Sequence, residues 1–212
     1  MRVIVTRPEG QADELAGRLR ALGHDVVVCP LVRVEALGDG PVDVSPYDWV
    51  VVTSANGARE LARRLHGRPQ RLAAVGPATA AALVEHGLVV DLVPQVSTQE
   101  GLLAELPRPA GRVLLAAAEG ARRLLVDELD ADFVPLYRTV QLRTEEPPAG
   151  DLVVLASGSA ARAFGALGLD IPAVSIGPQT TAAAQAAGVR VVAQAATHDA
   201  EGLLNAIATL AA

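Results

Sequence analysis

The sequence predicts an α/β protein: two similar doubly wound parallel-sheet domains, joined by a two-stranded crossing, with a cleft between them. Three observations carry this prediction. Short β-branched runs alternate with Ala- and Leu-rich segments along all 212 residues, which is typical of doubly wound sheets. The predicted strands are continuously apolar, as strands covered by helices on both faces are. The second half of the chain also repeats motifs of the first, and ligands often bind between paired domains.

Strands are predicted where apolar, β-branched runs stand between turn residues. In chain order they cover residues 3–6, 25–28, 49–53, 72–75, 89–92, 113–116, 132–134, 152–156, 173–176 and 189–192. Helices are predicted between them, the first over residues 11–22, where leucines recur on one face. Gly23, Gly87 and Gly188 are predicted to close their helices as C-terminal caps.

Three motifs carry the internal repeat. DWVVVTS at 48–54 returns as DLVVLAS at 151–157, VGPAT at 75–79 as IGPQT at 176–180, and EGLL at 100–103 as EGLL at 201–204. The offsets between the motifs are 103, 101 and 101 residues. A period near half the chain indicates a duplicated domain, because solenoid repeats run at roughly 20–50 residues.

Two extended segments break the strand–helix alternation and resemble one another: PLVRV at 30–34 and PLYRTV at 135–140. Each has its proline directly after a strand, and neither leads into a helix. We expect them to be crossings between the domains, over residues 30–36 and 135–142. One domain is then residues 1–33 with 143–212, and the other is residues 36–135, with five predicted strands in each.

Composition narrows the class of partner and the compartment. A formal net charge of −6 argues against a nucleic-acid partner, because such proteins carry a basic stripe. No run approaches the roughly 18 apolar residues of a membrane-spanning helix, so no membrane association is expected. The single cysteine, Cys29, excludes an internal disulfide framework and suits the reducing cytoplasm.

Several cofactor motifs are absent from the sequence. No G-x-G-x-x-G follows the first strand, no G-x-x-x-x-G-K-S/T occurs, and the four histidines have no metal-ligand spacing. We therefore expect neither a metal nor an organic cofactor. A cofactor-free reaction or a pure binding role remains.

Small polar residues follow several predicted strands at the start of the next helix. The free N–H groups and positive dipole end of a helix N-terminus bind carboxylates or phosphates. The candidates for such binding are Arg7, Ser54, Asn56, Thr79, Ser157, Ser159 and Thr180, with Thr98 and Thr197 as weaker ones. The structural alternative is that the Ser and Asn side chains only cap their helices, and that Arg7 only pairs with Glu9.

The order and spacing of these motifs resemble the uroporphyrinogen-III synthase family over nearly the whole chain. The matching segments are TRP at 6–8, DWVVVTSAN at 48–56, VGPATA at 75–80, EGLL at 100–103, PLYRT at 135–139 and IGPQT at 176–180. The resemblance implies two α/β domains with a two-stranded crossing. It implies cyclisation of hydroxymethylbilane, a linear tetrapyrrole with eight carboxylates, to uroporphyrinogen III, with loss of water and inversion of ring D.

The resemblance also implies a cofactor-independent monomer, with hydroxymethylbilane synthase as a transient partner, and carboxylate binding by the candidates named above. It places the catalytic role on Tyr137, whose counterpart in the first crossing is Val32. We expect its phenol to donate a hydrogen bond or a proton to the departing hydroxyl. The alternative is that Tyr137 merely packs the hinge.

This chain departs from the family pattern at two places. Ala156 stands where the family usually has a threonine, and Ala117-Ala118-Glu119-Gly120 where it often has Pro-Arg-Gly; Arg122 and Arg123 follow one turn later. Two other functions are open at this point. One is a non-catalytic tetrapyrrole-binding regulatory module of the same fold, and the other is a sugar- or nucleotide-binding transferase.

Overall fold

The computed structural model describes residues 1–144 and 146–211, apart from the side chain of Ala211. The strands are β1 Arg2–Val5, β2 Asp25–Val28, β3 Val32–Ala36, β4 Val42–Asp43, β5 Trp49–Val52, β6 Leu65–His66, β7 Leu72–Ala74, β8 Val113–Ala118, β9 Asp132–Gln141, β10 Leu152–Leu155, β11 Ala173–Ser175 and β12 Val191–Gln194. The helices are α1 Asp13–Ala21, α2 Ala55–Arg64, α3 Pro77–Glu85, α4 Gln99–Glu105, α5 Leu124–Leu129, α6 Gly158–Gly165, α7 Pro178–Ala186 and α8 Ala200–Ala211. Among the described residues, no helix has the length and apolarity needed to cross a membrane.

The chain forms two compact units. Unit 1 comprises Met1–Arg33 with Thr139–Ala212, and unit 2 comprises Val34–Arg138. The chain passes from unit 1 to unit 2 within β3 and returns within β9. Most of each segment that the sequence predicts to be an extended crossing lies in one of these two strands.

Unit 1 contains a five-stranded sheet of order β12-β11-β10-β1-β2, with every neighbouring pair parallel. Successive residues of β1 enter opposite cores: Val3 and Val5 pack with α1 and α8, while Ile4 packs with α6. The prediction of burial on both faces is thus confirmed for the central strands, while the outer strands β2 and β12 are partly exposed. After β1 the chain adds β2 on one side of the sheet, and after β10 it adds β11 on the other side. The direction of winding therefore switches between β1 and β10.

Unit 2 has a sheet of order β3-β9-β8-β5-β7. The β9–β8, β8–β5 and β5–β7 pairs are parallel. The paths of β3 and β9 are antiparallel, since Leu37 N–H donates to Leu136 O while Leu142 N–H donates to Leu31 O. The direction of winding switches between β5 and β8, and ligands of open α/β sheets bind beyond the carboxyl ends of strands at such a point.

The two units share one spatial order of strands, but the chain enters that order at a different strand in each, so that they are circular permutations of one another. The motifs of the repeat equate β5 with β10 and β7 with β11, and the sheet positions then equate β8 with β1 and β9 with β2. The strands that begin unit 1 therefore correspond to strands that end unit 2. For this reason the two halves of the sequence are not the two units.

The predicted strand at 89–92 is wrong as a full strand. Leu92 makes an isolated parallel bridge to Ala73, at the position that β12 holds in unit 1. The Asp91 carboxylate accepts the Leu72 N–H at 2.7 Å, so a side chain takes part of the hydrogen bonding of a strand ladder. Val89 is 77% exposed, and this segment therefore lacks the burial on both faces that the central strands have.

Three further details differ from the sequence prediction. A small parallel sheet of β4 and β6 was not predicted; it forms because α2 ends at Arg64 and the chain continues directly into a strand. β9 continues through Pro135, where the register with β8 shifts; an irregular position tolerates the missing N–H of proline. The first helix begins at Asp13 instead of residue 11. The predicted caps Gly23, Gly87 and Gly188 are confirmed, with φ of 85°, 76° and 78°.

Candidate active site

Tyr137 and Ser54 meet at the switch point of unit 2. Tyr137 pairs with Ala118, the last residue of β8, and Ser54 is the N-cap of α2, two residues after the end of β5. Their hydroxyl oxygens are 2.8 Å apart. Two residues that the sequence nominated separately are thus brought together at the carboxyl end of the sheet.

The environment of Tyr137 keeps its phenol protonated. The residue is 6% exposed, and its pKa is raised by burial, partly opposed by the hydrogen bond to Ser54. Its main chain is also held, since Glu119 N–H donates to Tyr137 O at 2.8 Å. A neutral phenol at a fixed position is suited to donating a hydrogen bond or a proton.

Ser54 also begins its helix, as the structural alternative states. Its Oγ accepts the Gly57 N–H at 3.0 Å, and this bond satisfies one of the free donors of the first turn. Asn56 is half-buried in the same turn, and its Oδ1 accepts a hydrogen bond from Arg59 Nη1 at 3.2 Å. Both side chains therefore have structural partners at the end of the sheet where a ligand is expected.

Ser157 and Ser159 form the matching arrangement in unit 1. Ser157 follows β10 and caps α6, accepting the Ala160 N–H at 3.2 Å. Its Oγ lies 3.0 Å from Ser159 Oγ, so the two hydroxyls form one polar cluster at the switch between β10 and β1. Ala156, the departure from the family pattern, precedes this cap.

The remaining candidates differ in accessibility. Thr79 and Thr180 stand in the first turns of α3 and α7 and are 4% and 5% exposed, so helix packing covers most of their surface. Arg7 is half-buried in the loop after β1; it does not open a helix, because α1 begins at Asp13. The binding role of all three stays a prediction.

Gly76 and Gly177 precede α3 and α7 for a reason that sequence analysis missed. Both glycines are extended, with φ of −173° and 172°, so neither is required for its backbone conformation. A Cβ on Gly76 would lie 2.7 Å from Ser97 Oγ, and one on Gly177 would lie 2.7 Å from His198 Nε2. Ser97 and His198 are 101 residues apart. This is the offset of the repeated motifs, and it was the sequence signal that Ser97 and His198 occupy equivalent positions beside a helix start.

The two weaker candidates, Thr98 and Thr197, lie at the starts of α4 and α8. Thr98 caps α4 by accepting the Gly101 N–H at 3.1 Å. Thr197 donates to Asp199 Oδ1 at 2.9 Å, and the same carboxylate oxygen accepts the Gly202 N–H at 2.8 Å. These bonds account for both threonine positions as parts of helix starts.

The two arginines after β8 are held by other side chains. Arg122 pairs with Glu100 through two contacts of 2.5 and 3.0 Å, and the pKa of Glu100 is lowered to about 2, mainly by this hydrogen bonding. The Arg123 guanidinium lies 3.7 Å from the centre of the Phe133 ring. Within residues 1–144 and 146–211, no group of three or more His, Cys, Asp or Glu side chains could hold a metal ion.

Comparison with known proteins adds independent evidence. The family model described as uroporphyrinogen-III synthase HemD matches residues 13–205. A uroporphyrinogen-III synthase of Synechococcus elongatus is 26% identical, over 97% of this chain and 93% of that protein. A putative uroporphyrinogen-III synthase of Methanocaldococcus jannaschii is 26% identical, over 66% of this chain and 63% of that protein.

A solved structure agrees in fold. The crystal structure of a mutant uroporphyrinogen III synthase from the extremely thermophilic bacterium Thermus thermophilus superposes with a TM-score of 0.65 at 18% identity, over 99% of this chain and 98% of that one. Because the family model spans almost the whole chain, the protein belongs to the uroporphyrinogen-III synthase family.

Proposed function

We propose that the protein is an enzyme of porphyrin biosynthesis that cyclises hydroxymethylbilane to uroporphyrinogen III, with loss of water and inversion of ring D. The observation that supports this most directly is the Tyr137–Ser54 pair, 2.8 Å apart. It sets a protonated phenol at the end of the sheet where open α/β folds bind ligands, in a chain of this family.

Tyr137 is the acid of the first step. Its phenol gives a proton to the hydroxyl of the substrate and the carbon–oxygen bond breaks. Water departs, and the substrate is left as an electrophilic azafulvenium cation. The substituted carbon of ring D attacks this centre to form a spiro intermediate, which opens and closes again with ring D inverted. The proton lost when the macrocycle closes restores the phenol.

Orientation supplies most of the remaining catalysis. Without an enzyme the same bilane closes to the type I isomer, so the protein must hold ring D for attack through its substituted carbon. The carboxylates of the substrate are bound at helix starts and loops, through Arg7, Asn56, Thr79, Ser157, Ser159 and Thr180, and through the N-terminus of α2 that Ser54 caps. The free N–H groups and dipoles of these helices favour anions.

The reaction class is a cofactor-independent, cyclising hydro-lyase. Dehydration and carbon–carbon bond formation need an acid and a held substrate, and Tyr137 with the helix starts provides both. We further propose a monomer that works in the cytoplasm, where the single Cys29 stays reduced. Hydroxymethylbilane synthase, which makes the substrate, is the expected transient partner.

The alternative function is a non-catalytic tetrapyrrole-binding regulator. The named relatives are synthases, which favours catalysis. The test is to supply freshly made hydroxymethylbilane, oxidise the products and separate the isomers, with heat-denatured protein as the control. We expect type III in the presence of the folded protein. Formation of type I alone would exclude the synthase function and leave the regulator.

A further inference from the structure

The Ser54 side chain joins a helix N-terminus to the Tyr137 phenol. Its Oγ accepts the Gly57 N–H at 3.0 Å and lies 2.8 Å from Tyr137 Oη. Three groups from two elements of unit 2 thus form one chain of hydrogen bonds. It begins in the first turn of α2 and ends on the oxygen that the proposed reaction uses.

The direction of the second hydrogen bond decides what the phenol can do. A serine hydroxyl has one proton and two acceptor lone pairs. Because Ser54 Oγ accepts a backbone N–H, polarisation strengthens its own donation, and Tyr137 Oη is the partner at hydrogen-bonding distance. If the phenol donated to Ser54 instead, its proton would be directed into the protein and not toward a substrate.

We propose that Ser54 is a positioning residue that relays a hydrogen bond from the N-terminus of α2 to the Tyr137 oxygen. Donation by Ser54 leaves the phenol proton available for the departing hydroxyl. After proton transfer, the phenolate accepts the Ser54 hydrogen bond beside the positive end of α2, which stabilises its charge. This role rests on the proposed function, and it differs from the direct carboxylate binding expected of Ser54 from the sequence.

Unit 1 shows that the relay is not a general feature of this helix start. Ser157 caps α6 by the same backbone bond, but its Oγ lies against Ser159 Oγ. The crossing residue equivalent to Tyr137 is the buried Val32. A serine cap therefore forms in this fold without a phenol beside it. The Ser54–Tyr137 hydrogen bond of unit 2 is thus not needed for capping.

Two charged residues adjoin Tyr137 through the backbone, Arg138 as the next residue and Glu119 through a hydrogen bond from its N–H to Tyr137 O. Arg138 donates through Nε to Glu35 on β3 at 2.8 Å. Glu119 follows β8 and is exposed. Burial raises the pKa of Tyr137 and the Ser54 hydrogen bond lowers it. Removing Ser54 should therefore shift phenol ionisation to higher pH.

The chain offers a direct readout, because it contains only two tyrosines. In a Tyr47→Phe background, tyrosinate absorbance reports Tyr137 alone, without substrate. We expect Ser54→Ala to move the midpoint to higher pH and Ser54→Thr, which keeps the hydroxyl, to hold it near the parent value. Ser157→Ala removes the equivalent helix cap in unit 1 and should leave the midpoint of Tyr137 ionisation unchanged. Circular dichroism at each pH shows that the fold persists.

Kinetics complete the test. Ser54→Ala should lower kcat about tenfold, the effect of losing one hydrogen bond of about 1.4 kcal/mol, with a smaller change in KM. In a Tyr137→Phe background the same change should have no further effect on kcat. An unmoved tyrosinate midpoint in Ser54→Ala would overturn the relay even if the protein makes type III product. Absence of type III product with a moved midpoint would overturn the proposed function and leave the hydrogen bond established.

Discussion

Tyr137 Oη lies 2.8 Å from Ser54 Oγ, across 83 residues of sequence. The contact joins the crossing strand β9 to the first turn of α2, and both residues belong to unit 2. It combines a buried phenol with a helix N-terminus at the switch point of one sheet. This relationship connects the fold to the proposed chemistry and motivates the first prediction.

Tyr137→Phe should lower kcat by about 10²-fold, the lower end of what a positioned proton donor contributes, while product binding changes little. The ring stays in place, so packing is retained and only the acid is lost. Tyr47→Phe is the matched control, because Tyr47 precedes β5 and so lies at the amino end of that strand, away from the carboxyl end where Tyr137 and Ser54 meet. Steady-state rates with hydroxymethylbilane and titration with uroporphyrinogen III measure the two effects. Unchanged turnover in Tyr137→Phe would assign the residue to hinge packing.

The carboxylate-binding role of the unit 1 helix start predicts a change in KM. Ser157→Ala and Ser159→Ala should each raise KM about tenfold or more, the effect of losing one hydrogen bond to a charged group, with kcat less affected. Thr209→Ala in α8 is a control in the same unit, because its hydroxyl donates to the backbone carbonyls of Asn205 and Ala206 within its own helix. If both serine variants keep the parent KM, these serines serve only to start the helix.

The glycines of the repeated EGLL motif should be irreplaceable for steric reasons. A Cβ at Gly101 would lie 2.0 Å from Val96 O, and one at Gly202 would lie 2.2 Å from Thr197 O. Alanine at either position should reduce the free energy of unfolding by about 2 kcal/mol or more, as overpacking does. Gly17→Ala in α1, where nothing lies within 4 Å, should stabilise the protein by about 0.5–1 kcal/mol. Urea denaturation distinguishes the signs, and equal effects at all three positions would contradict the steric explanation.

The Glu100–Arg122 pair predicts a modest acid sensitivity. The pKa of Glu100 falls from 4.5 to about 2 on folding, so its contribution is complete above about pH 4.5 and is lost as the pH falls toward 2. Both side chains are about half exposed, at 56% and 47%, so the contribution should be no more than about 1 kcal/mol. Glu100→Gln should be less stable than the parent at neutral pH. The difference between their free energies of unfolding should shrink as the pH falls. A gap that stays constant from pH 7 to pH 3 would contradict this.

Local sequence determined which residues begin and end helices. Ser54 and Ser157 cap through hydrogen bonds to residues three positions ahead, and Gly23 takes a left-handed conformation that disfavours other residues. Such features depend on neighbours in the chain, so residue type and spacing predict them. The buried strands were predictable for the same reason, because their apolar runs need cover on both faces.

The tertiary structure decided the rest. Neither the loss of a full strand at 89–92 nor the length of β9 follows from residue type, because both depend on what packs beside the segment. The Tyr137–Ser54 contact depends on the register of β9 against β8 and on the place of β5 in the sheet. Hydrogen bonds across 83 residues are set by strand order, which one sequence does not reveal. The sequence by itself thus determined the candidates, and the fold decided which of them meet.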